Sequence, residues 1–223
     1  MKKRLTDNST RDRIKAKNRT EQAAAGKGSC LREVLVCEQS VRGRGFVQMA
    51  ENKEQSMKSI LILGAGGHGR VVAETAEACG YEKISFLDDH SETAIGKIGE
   101  LQQFVKDYEF AFVGIGNNRL RGELQKCLEK AGYKVPTLIH PAAYISKTAE
   151  IGVGTIVEPK AIVNAGTVVG TGCIISVGAI VDHDVVLGTN VHVNAGAIVN
   201  AGAAVESCRK LEAGEVVFGY GSK

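Results

Sequence analysis

The most regular feature of the chain is an aliphatic residue at every sixth position from residue 145 to residue 217. Small or β-branched residues stand four positions after the first ten of these sites. An α-helix returns its apolar stripe every three to four residues, so no helix produces a period of six. A period of six kept for this long predicts a solenoid of short parallel strands, the hexapeptide β-helix. The aliphatic positions are Ile145, Ile151, Val157, Val163, Val169, Ile175, Val181, Leu187, Val193, Val199, Val205, Leu211 and Val217.

With three strands per coil, the repeat predicts a little over four coils, placed at residues 141–223 after the His140-Pro141 pair. Inward side chains would stack on those one coil away and form a continuous core. Cys173 stands at an inward small position and is therefore predicted to be core, not a nucleophile. Because such a prism has flat faces and bare ends, we expect an oligomer rather than a monomer.

Strand and helix patterns alternate over residues 57–140, which we assign to a second domain. Such alternation predicts a parallel sheet with right-handed crossovers, in a small Rossmann-like fold. The predicted strands are Ser59–Leu63, Lys83–Leu87, Phe110–Ile115 and Lys134–Ile139, and the predicted helices are Arg70–Cys79 and Leu120–Lys130.

Charge and composition set the first 56 residues apart. They hold 13 Lys and Arg against 7 Asp and Glu, a net charge of +6, whereas the rest of the chain holds 15 against 18, a net of −3. Their single hydrophobic island, Leu31–Val36, cannot offset the entropy of ordering, so residues 1–56 are predicted to be a disordered basic extension. It is either an electrostatic arm or a dispensable segment before a domain that begins at Met57. The mildly acidic remainder excludes a basic stripe for nucleic acid.

The six cysteines contain no CxxC pair, so neither a disulfide framework nor a metal cluster is predicted. Reduced thiols favour a cytoplasmic protein. No apolar run reaches the roughly 18 residues of a membrane span, and no secretory signal is predicted.

A glycine turn at residues 64–69 follows the first predicted strand. Glycines let the backbone approach an anion, and the helix that follows presents unpaired N–H groups, so Gly66, Gly67 and His68 are candidates for binding a phosphate. Asp88 and Asp89 lie where a dinucleotide fold places its ribose-binding acid. The alternative is a tight strand–helix turn without a ligand. His68 would point a ring nitrogen into the pocket, which favours a sugar nucleotide over NAD.

His183 stands at a predicted solenoid corner between Asp182 and Asp184. A neighbouring carboxylate orients an imidazole and favours its protonation, as a general base needs. The alternative is a surface histidine on a polar corner. His192 by itself would be a surface residue, and Asn164, Asn194 and Asn200 are predicted to be structural turn residues.

Taken together, the chain resembles the sialic acid O-acetyltransferase and UDP-4-amino-sugar N-acetyltransferase family of left-handed β-helix enzymes. The resemblance covers residues 57 to about 205. It is carried by Ile-Leu-Gly-Ala-Gly-Gly-His-Gly at 62–69, Phe-Leu-Asp-Asp at 86–89, Gly-Ile-Gly-Asn-Asn at 114–118, Ile-His-Pro at 139–141 and the hexads with Asp-His-Asp at 182–184.

The resemblance implies acetyl transfer from acetyl-CoA to an amino or hydroxyl group of an activated sugar, without a metal. The acceptor would bind at Gly66, Gly67, His68, Asp88 and Asp89. His183 would be the general base and Asp184 the acid that supports it. His192 would line the acetyl-CoA groove, with the backbone near Ala201 and Gly202 continuing it and N–H groups of a neighbouring coil meeting the oxyanion. Family members are trimers with active sites between protomers.

The sequence departs from the family after residue 205, where the small hexad position becomes Arg209 and fewer coils follow. A shortened acetyl-CoA groove would leave a non-catalytic nucleotide-sugar-binding or scaffold protein, which is the main alternative. An NAD-linked oxidoreductase is a weaker alternative, because it gives the solenoid no role. The sequence leaves open the acceptor sugar and the choice between N- and O-acetylation.

Overall fold

The computed structural model describes residues 12–18 and 57–220. A three-stranded parallel sheet forms the first domain, with the order β2-β1-β3. The first helix of the chain, α1, spans residues 12–18 and precedes this domain. The elements of the domain are β1 (Ser59–Leu63), α2 (Gly67–Ala78), β2 (Lys83–Leu87), a 3₁₀ helix (Ile98–Phe104), β3 (Phe110–Val113) and α3 (Asn118–Ala131).

The central strand β1 is apolar because both faces of the sheet are covered. Ile60 and Ile62 pack with α2 and with the solenoid, whereas Leu61 and Leu63 belong to a second core that Leu128 of α3 joins. Such burial on both faces explains a continuous apolar run in a parallel strand. Asn117 caps the N-terminus of α3, since its side chain accepts hydrogen bonds from two backbone N–H groups, and Gly132 with φ 96° caps its C-terminus.

The second domain is a three-sided parallel β-helix, and the predicted fold class, a Rossmann-like sheet followed by a left-handed β-helix, is confirmed. Its thirteen two-residue strands are β4 (Leu138–Ile139), β5 (Tyr144–Ile145), β6 (Glu150–Ile151), β7 (Ile156–Val157), β8 (Ile162–Val163), β9 (Val168–Val169), β10 (Ile174–Ile175), β11 (Ile180–Val181), β12 (Val186–Leu187), β13 (His192–Val193), β14 (Ile198–Val199), β15 (Ala204–Val205) and β16 (Val216–Val217).

The strands form three sheets with 18 residues per coil, as when Ile156 pairs with Ile174 and Ile174 with His192. Sheet 1 contains β4, β7, β10 and β13; sheet 2 contains β5, β8, β11, β14 and β16; sheet 3 contains β6, β9, β12 and β15. The second residue of each strand points inward and forms the core with the small residues of the hexad. Cys173 is fully buried there, as predicted, and burial raises its pKa to about 12.

The predicted strand Lys134–Ile139 is divided between the two domains, since Lys134 forms a single parallel bridge with Phe110 of β3. Only Leu138–Ile139 is a strand, and it pairs with β7 of the solenoid. The solenoid therefore begins before the predicted boundary at residue 141. Leu138, Ile156 and Ile174 pack with Ile60, Ile62 and Phe112, so sheet 1 is the face that carries the Rossmann-like domain.

A segment of the basic extension is ordered against the solenoid. Residues 12–18 are helical, Ile14 and Asn18 are buried, and Asn18 Nδ2 donates to the Leu187 carbonyl at 3.0 Å. The predicted disorder therefore does not hold for these seven residues. The remainder of the predicted extension, residues 1–11 and 19–56, lies outside the described residues. Across the described chain, no helix has the length and apolarity to cross a bilayer.

Candidate active site

The glycine turn is braced by the first of its two predicted acidic partners. Asp88 accepts hydrogen bonds from the backbone N–H of Ala65 at 2.8 Å, of His90 at 2.8 Å and of Ser91 at 3.0 Å. These bonds, that of Ala65 foremost, lower the pKa of Asp88 and keep it ionised. Asp89 accepts from the N–H of Ile98 at 3.2 Å. Asp88 thus fixes the backbone of the glycine turn, and Asp89 fixes the start of the 3₁₀ helix.

Close packing at one end of the turn contrasts with open space at the other. A Cβ added to Gly69 would overlap the Gly64 carbonyl, and one added to Gly114 would lie 2.8 Å from Gly69 Cα. A Cβ on Gly66 or Gly67 would meet nothing within 4 Å. α2 begins at this open side with no side-chain cap, so its first N–H groups can meet an anion there.

We expect Gly69→Ala to destabilise the protein by at least about 2 kcal/mol, because the new methyl meets backbone that no rotamer change can relieve. Gly67→Ala is the matched control and should change stability by less than about 1 kcal/mol. Chemical denaturation measures both. Equal stability of the two variants would contradict the packing described for the turn.

His68 points away from the turn and across the domain boundary. Its Nδ1 lies 3.9 Å from Glu158 Oε1, and its ring centroid lies 6.5 Å from that of His192. His192 Nε2 lies 3.1 Å from Ser176 Oγ. The structure therefore brings two predicted site residues, His68 and His192, together with two polar residues of the solenoid. We call His68, Glu158, Ser176 and His192 the interdomain cluster.

Both histidines of the cluster are uncharged at neutral pH. Burial, followed by the charge of Arg121, lowers the pKa of His68 to about 4. The pKa of His192 is also lowered to about 4, and burial and Arg121 are again the two largest causes. Burial raises the pKa of Glu158. Nε2 of His68 and Nδ1 of His192 are buried without a hydrogen-bond partner among the described residues. Buried polar atoms of this kind suit a site that a polar ligand completes.

Acid should destabilise the fold through these histidines. The unfolded chain takes up protons below about pH 6.5, whereas the folded histidines do so only near pH 4, so stability falls as the pH drops through that window. We expect a His68→Gln, His192→Gln double variant to lose less melting temperature than the parent between pH 6.5 and 4.5. Glu158, whose raised pKa makes the fold more stable as the pH falls, is present in both proteins, so its contribution cancels in the comparison. Parallel pH profiles would contradict the assignment.

The predicted base His183 lies in the turn between β11 and β12, with its side chain half exposed. Its Nδ1 lies 3.1 Å from Asp184 Oδ2, and no partner for Nε2 lies among the described residues. Asp182 fixes the corner by accepting from the His183 N–H at 2.7 Å and from Asn164 Nδ2 at 3.1 Å. The Asn164 side chain thus links two successive coils. The geometry suits an oriented imidazole whose free nitrogen takes a proton.

Within one chain, His183 and the interdomain cluster lie on different sides of the prism. His192 belongs to β13 of sheet 1, whereas the turn that carries His183 joins sheet 2 to sheet 3. The strand and the helix on either side of the glycine turn, β1 and α2, pack with sheet 1. One chain therefore brings His68 of the predicted acceptor site to His192 and leaves its own His183 at the opposite corner.

The backbone near Ala201 and Gly202 is predicted to continue the acetyl-CoA groove, and its N–H groups already have partners within the chain. The Gly202 N–H donates to the His183 carbonyl at 3.0 Å, and the Ala201 N–H bonds the Asp182 carboxylate. Both N–H groups are therefore occupied and cannot meet an oxyanion. The ring of Tyr220 lies where a Cβ of Gly202 would project, so Tyr220 also borders the predicted acetyl-CoA groove.

Sequence reasoning missed Glu158, Ser176 and Arg121. Glu158 and Ser176 are 18 residues apart, each directly after an inward aliphatic residue. Aligning the solenoid by coil rather than by hexad would have placed both on the sheet that carries His192. Arg121 left no such signal, because its partners on the solenoid are backbone carbonyls of turns that are distant in sequence.

Comparison with known proteins matches residues 59–128 to the PglD N-terminal domain family. UDP-N-acetylbacillosamine N-acetyltransferase of Bacillus subtilis is 35% identical over 109 residues, 44% of this chain and half the length of that relative.

Two solved structures share both domains. The acetyltransferase domain of PglB from Neisseria gonorrhoeae, in complex with acetyl coenzyme A, is 34% identical, with a TM-score of 0.66 over 73% of this chain and 91% of that one. A variant of perosamine N-acetyltransferase from Caulobacter crescentus, in complex with CoA and GDP-perosamine, is 28% identical, with a TM-score of 0.67 over 74% and 90%. By this identity, this coverage and the shared order of domains, the chain belongs to the UDP-4-amino-sugar N-acetyltransferase family of left-handed β-helix enzymes.

Proposed function

We propose that the protein transfers an acetyl group from acetyl-CoA to an amino group of a nucleotide-linked sugar. The observation that carries this proposal is the oriented His183–Asp184 pair at an exposed solenoid corner. Relatives of the same architecture are solved with acetyl-CoA, or with CoA and GDP-perosamine. Those relatives favour N-acetylation over O-acetylation and a nucleotide sugar over a sialic acid.

The residues of this chain supply positioning and proton transfer. The open glycine turn at Gly66 and Gly67 takes the diphosphate of the acceptor. Asp88 holds the backbone of that turn, and Asp89 holds the start of the 3₁₀ helix. As the acceptor nitrogen bonds to the thioester carbonyl carbon, His183 Nε2 takes its proton while Asp184 holds Nδ1–H. The carbon–sulfur bond then breaks and the proton passes to the CoA sulfur. No covalent enzyme intermediate is needed.

We propose that the complete site lies between two chains of a homotrimer, and that acetyl-CoA runs along the same boundary past His192, Ala201 and Gly202. The separation of His183 from the interdomain cluster within one chain supports this arrangement. A partner's His183 corner beside sheet 1 would bring the base to the acceptor. None of the four cysteines among the described residues is in a disulfide, which supports a cytoplasmic setting.

Calorimetric titration with acetyl-CoA, with NAD as a control ligand, tests the donor first. We expect saturable binding of about one acetyl-CoA per chain and none of NAD. A thiol-release assay with UDP-linked 4-amino sugars and GDP-perosamine then tests the reaction. An acceptor that binds unmodified, without release of CoA, would instead establish the non-catalytic alternative.

A further inference from the structure

Arg121 is a buried cation held entirely by uncharged acceptors. Its side chain is 1% exposed, and within the described part of the chain no carboxylate forms an ion pair with it. A buried charge is costly unless every donor is satisfied, and a guanidinium has five N–H donors. Five hydrogen bonds satisfy them here, reaching both domains.

The hydrogen bonds divide between the two domains. On the Rossmann-like side, Nη1 donates to the carbonyls of Ile115 at 3.2 Å and Gly116 at 3.3 Å, and Nη2 to Asn118 Oδ1 at 2.8 Å. On the solenoid side, Nε donates to the Gly172 carbonyl at 2.7 Å and Nη2 to the Asn190 carbonyl at 3.1 Å. One side chain thus ties the loop after β3 to two successive coils.

The solenoid partners belong to one ladder of left-handed corner residues, 18 positions apart. Their φ angles are 71°, 66°, 55° and 62° at Gly154, Gly172, Asn190 and Cys208. Asn118 Nδ2 extends the contact to the Cys208 carbonyl at 3.0 Å, and at the other end a Cβ on Gly154 would overlap the Gln125 side chain. A polar stripe of α3 therefore runs along this corner, with Arg121 at its centre.

The backbone segments that Arg121 contacts in the two domains adjoin the two histidines of the interdomain cluster. A Cβ on Gly64 would lie 2.9 Å from Ile115 Cγ1 and 3.1 Å from the Gly114 carbonyl, so the glycine turn that carries His68 rests on the loop that Arg121 holds. Asn190 stands two residues before His192. Arg121 therefore contacts backbone next to both sides of the His68–His192 contact.

We propose that Arg121 is a positioning residue of the acceptor site, which fixes the glycine turn against β10 and β13 so that His68 and His192 meet across the domain boundary. Its effect on turnover rests on the proposed acetyl transfer. Displacements of about 1 Å in a reacting group can cost on the order of 10²-fold in rate, so a side chain that makes no contact with substrate can still set activity.

The charge of Arg121 adds a second consequence. The groups that face the two histidines are Glu158, Ser176, Arg121 and Lys210. After burial, Arg121 is the leading cause of the low pKa of each histidine. With the guanidinium removed, protonation of both histidines becomes easier.

Arg121→Met tests the proposal, with Arg119→Met, an exposed arginine of the same helix, as the control. We expect the acceptor KM to rise at least about tenfold in Arg121→Met. The NMR titration midpoints of His68 and His192 should also move from about 4 towards 6.5. The control variant should leave both quantities unchanged. A purely structural role would lower only the melting temperature, and unchanged KM and midpoints in a folded Arg121→Met variant would overturn the proposal.

Arg121→Lys keeps the charge but cannot make the five hydrogen bonds. We expect Arg121→Lys to raise the acceptor KM while the titration midpoints of the two histidines stay near 4. This variant therefore tests the positioning role even if Arg121→Met does not fold. An unchanged KM in Arg121→Lys would overturn the positioning role. Because the histidine titration needs no substrate, a parent protein without acetyl transfer would count against the proposed function and leave this test intact.

Discussion

His183→Ala should lower kcat by at least about 10²-fold and leave the affinity for acetyl-CoA nearly unchanged, because general-base help is typically worth 10²–10⁴ in rate. The side chain is half exposed, and its ring has a hydrogen bond only to Asp184 among the described residues. Its removal should therefore cost little stability. Steady-state kinetics, calorimetry with acetyl-CoA and thermal denaturation measure the three quantities. Full activity in His183→Ala would rule out the assigned base.

Asp184→Asn is the appropriate companion variant. Asp184 has φ 58°, a conformation that asparagine tolerates and alanine does not, so the backbone is preserved while the charge is lost. We expect a loss of activity smaller than that of His183→Ala. A larger loss would show that the Asp184 carboxylate contributes to catalysis beyond its hydrogen bond to His183.

The solenoid could be predicted from the sequence because each of its contacts repeats a local rule. An inward aliphatic residue such as Val163 meets its equivalent one coil away, Val181, and the pairing follows directly from the period. The exposed corner of His183 follows from the same count. Strand assignment failed at Leu138–Ile139 because an isolated apolar pair carries no information about which sheet it joins.

The interdomain cluster could not be predicted, because no repeat or motif relates the two domains. His68 meets Glu158 and His192 only because α3 seats on the solenoid corner through Arg121 and Asn118. Those contacts are made to backbone carbonyls, whose positions depend on the whole fold.

The separation of His183 from His192 leads to the second large effect that we expect. His183→Ala and His192→Ala should each be nearly inactive when assayed alone. If the complete site combines His183 of one chain with His192 of another, unfolding and refolding a 1:1 mixture should restore activity to roughly a quarter of the parent level. That fraction is the share of boundaries that receive both intact residues by chance, one half multiplied by one half.

A site within a single chain predicts the opposite result, since every chain in the mixture carries one defect. The control is a mixture of each variant with itself, refolded in parallel, which accounts for losses during refolding. Differently tagged chains, isolated as mixed oligomers, would show that exchange had occurred. Mixed oligomers without recovered activity would place the reaction within one chain. In that case the acceptor would have to bind near the chain's own His183, away from sheet 1 and the Rossmann-like domain.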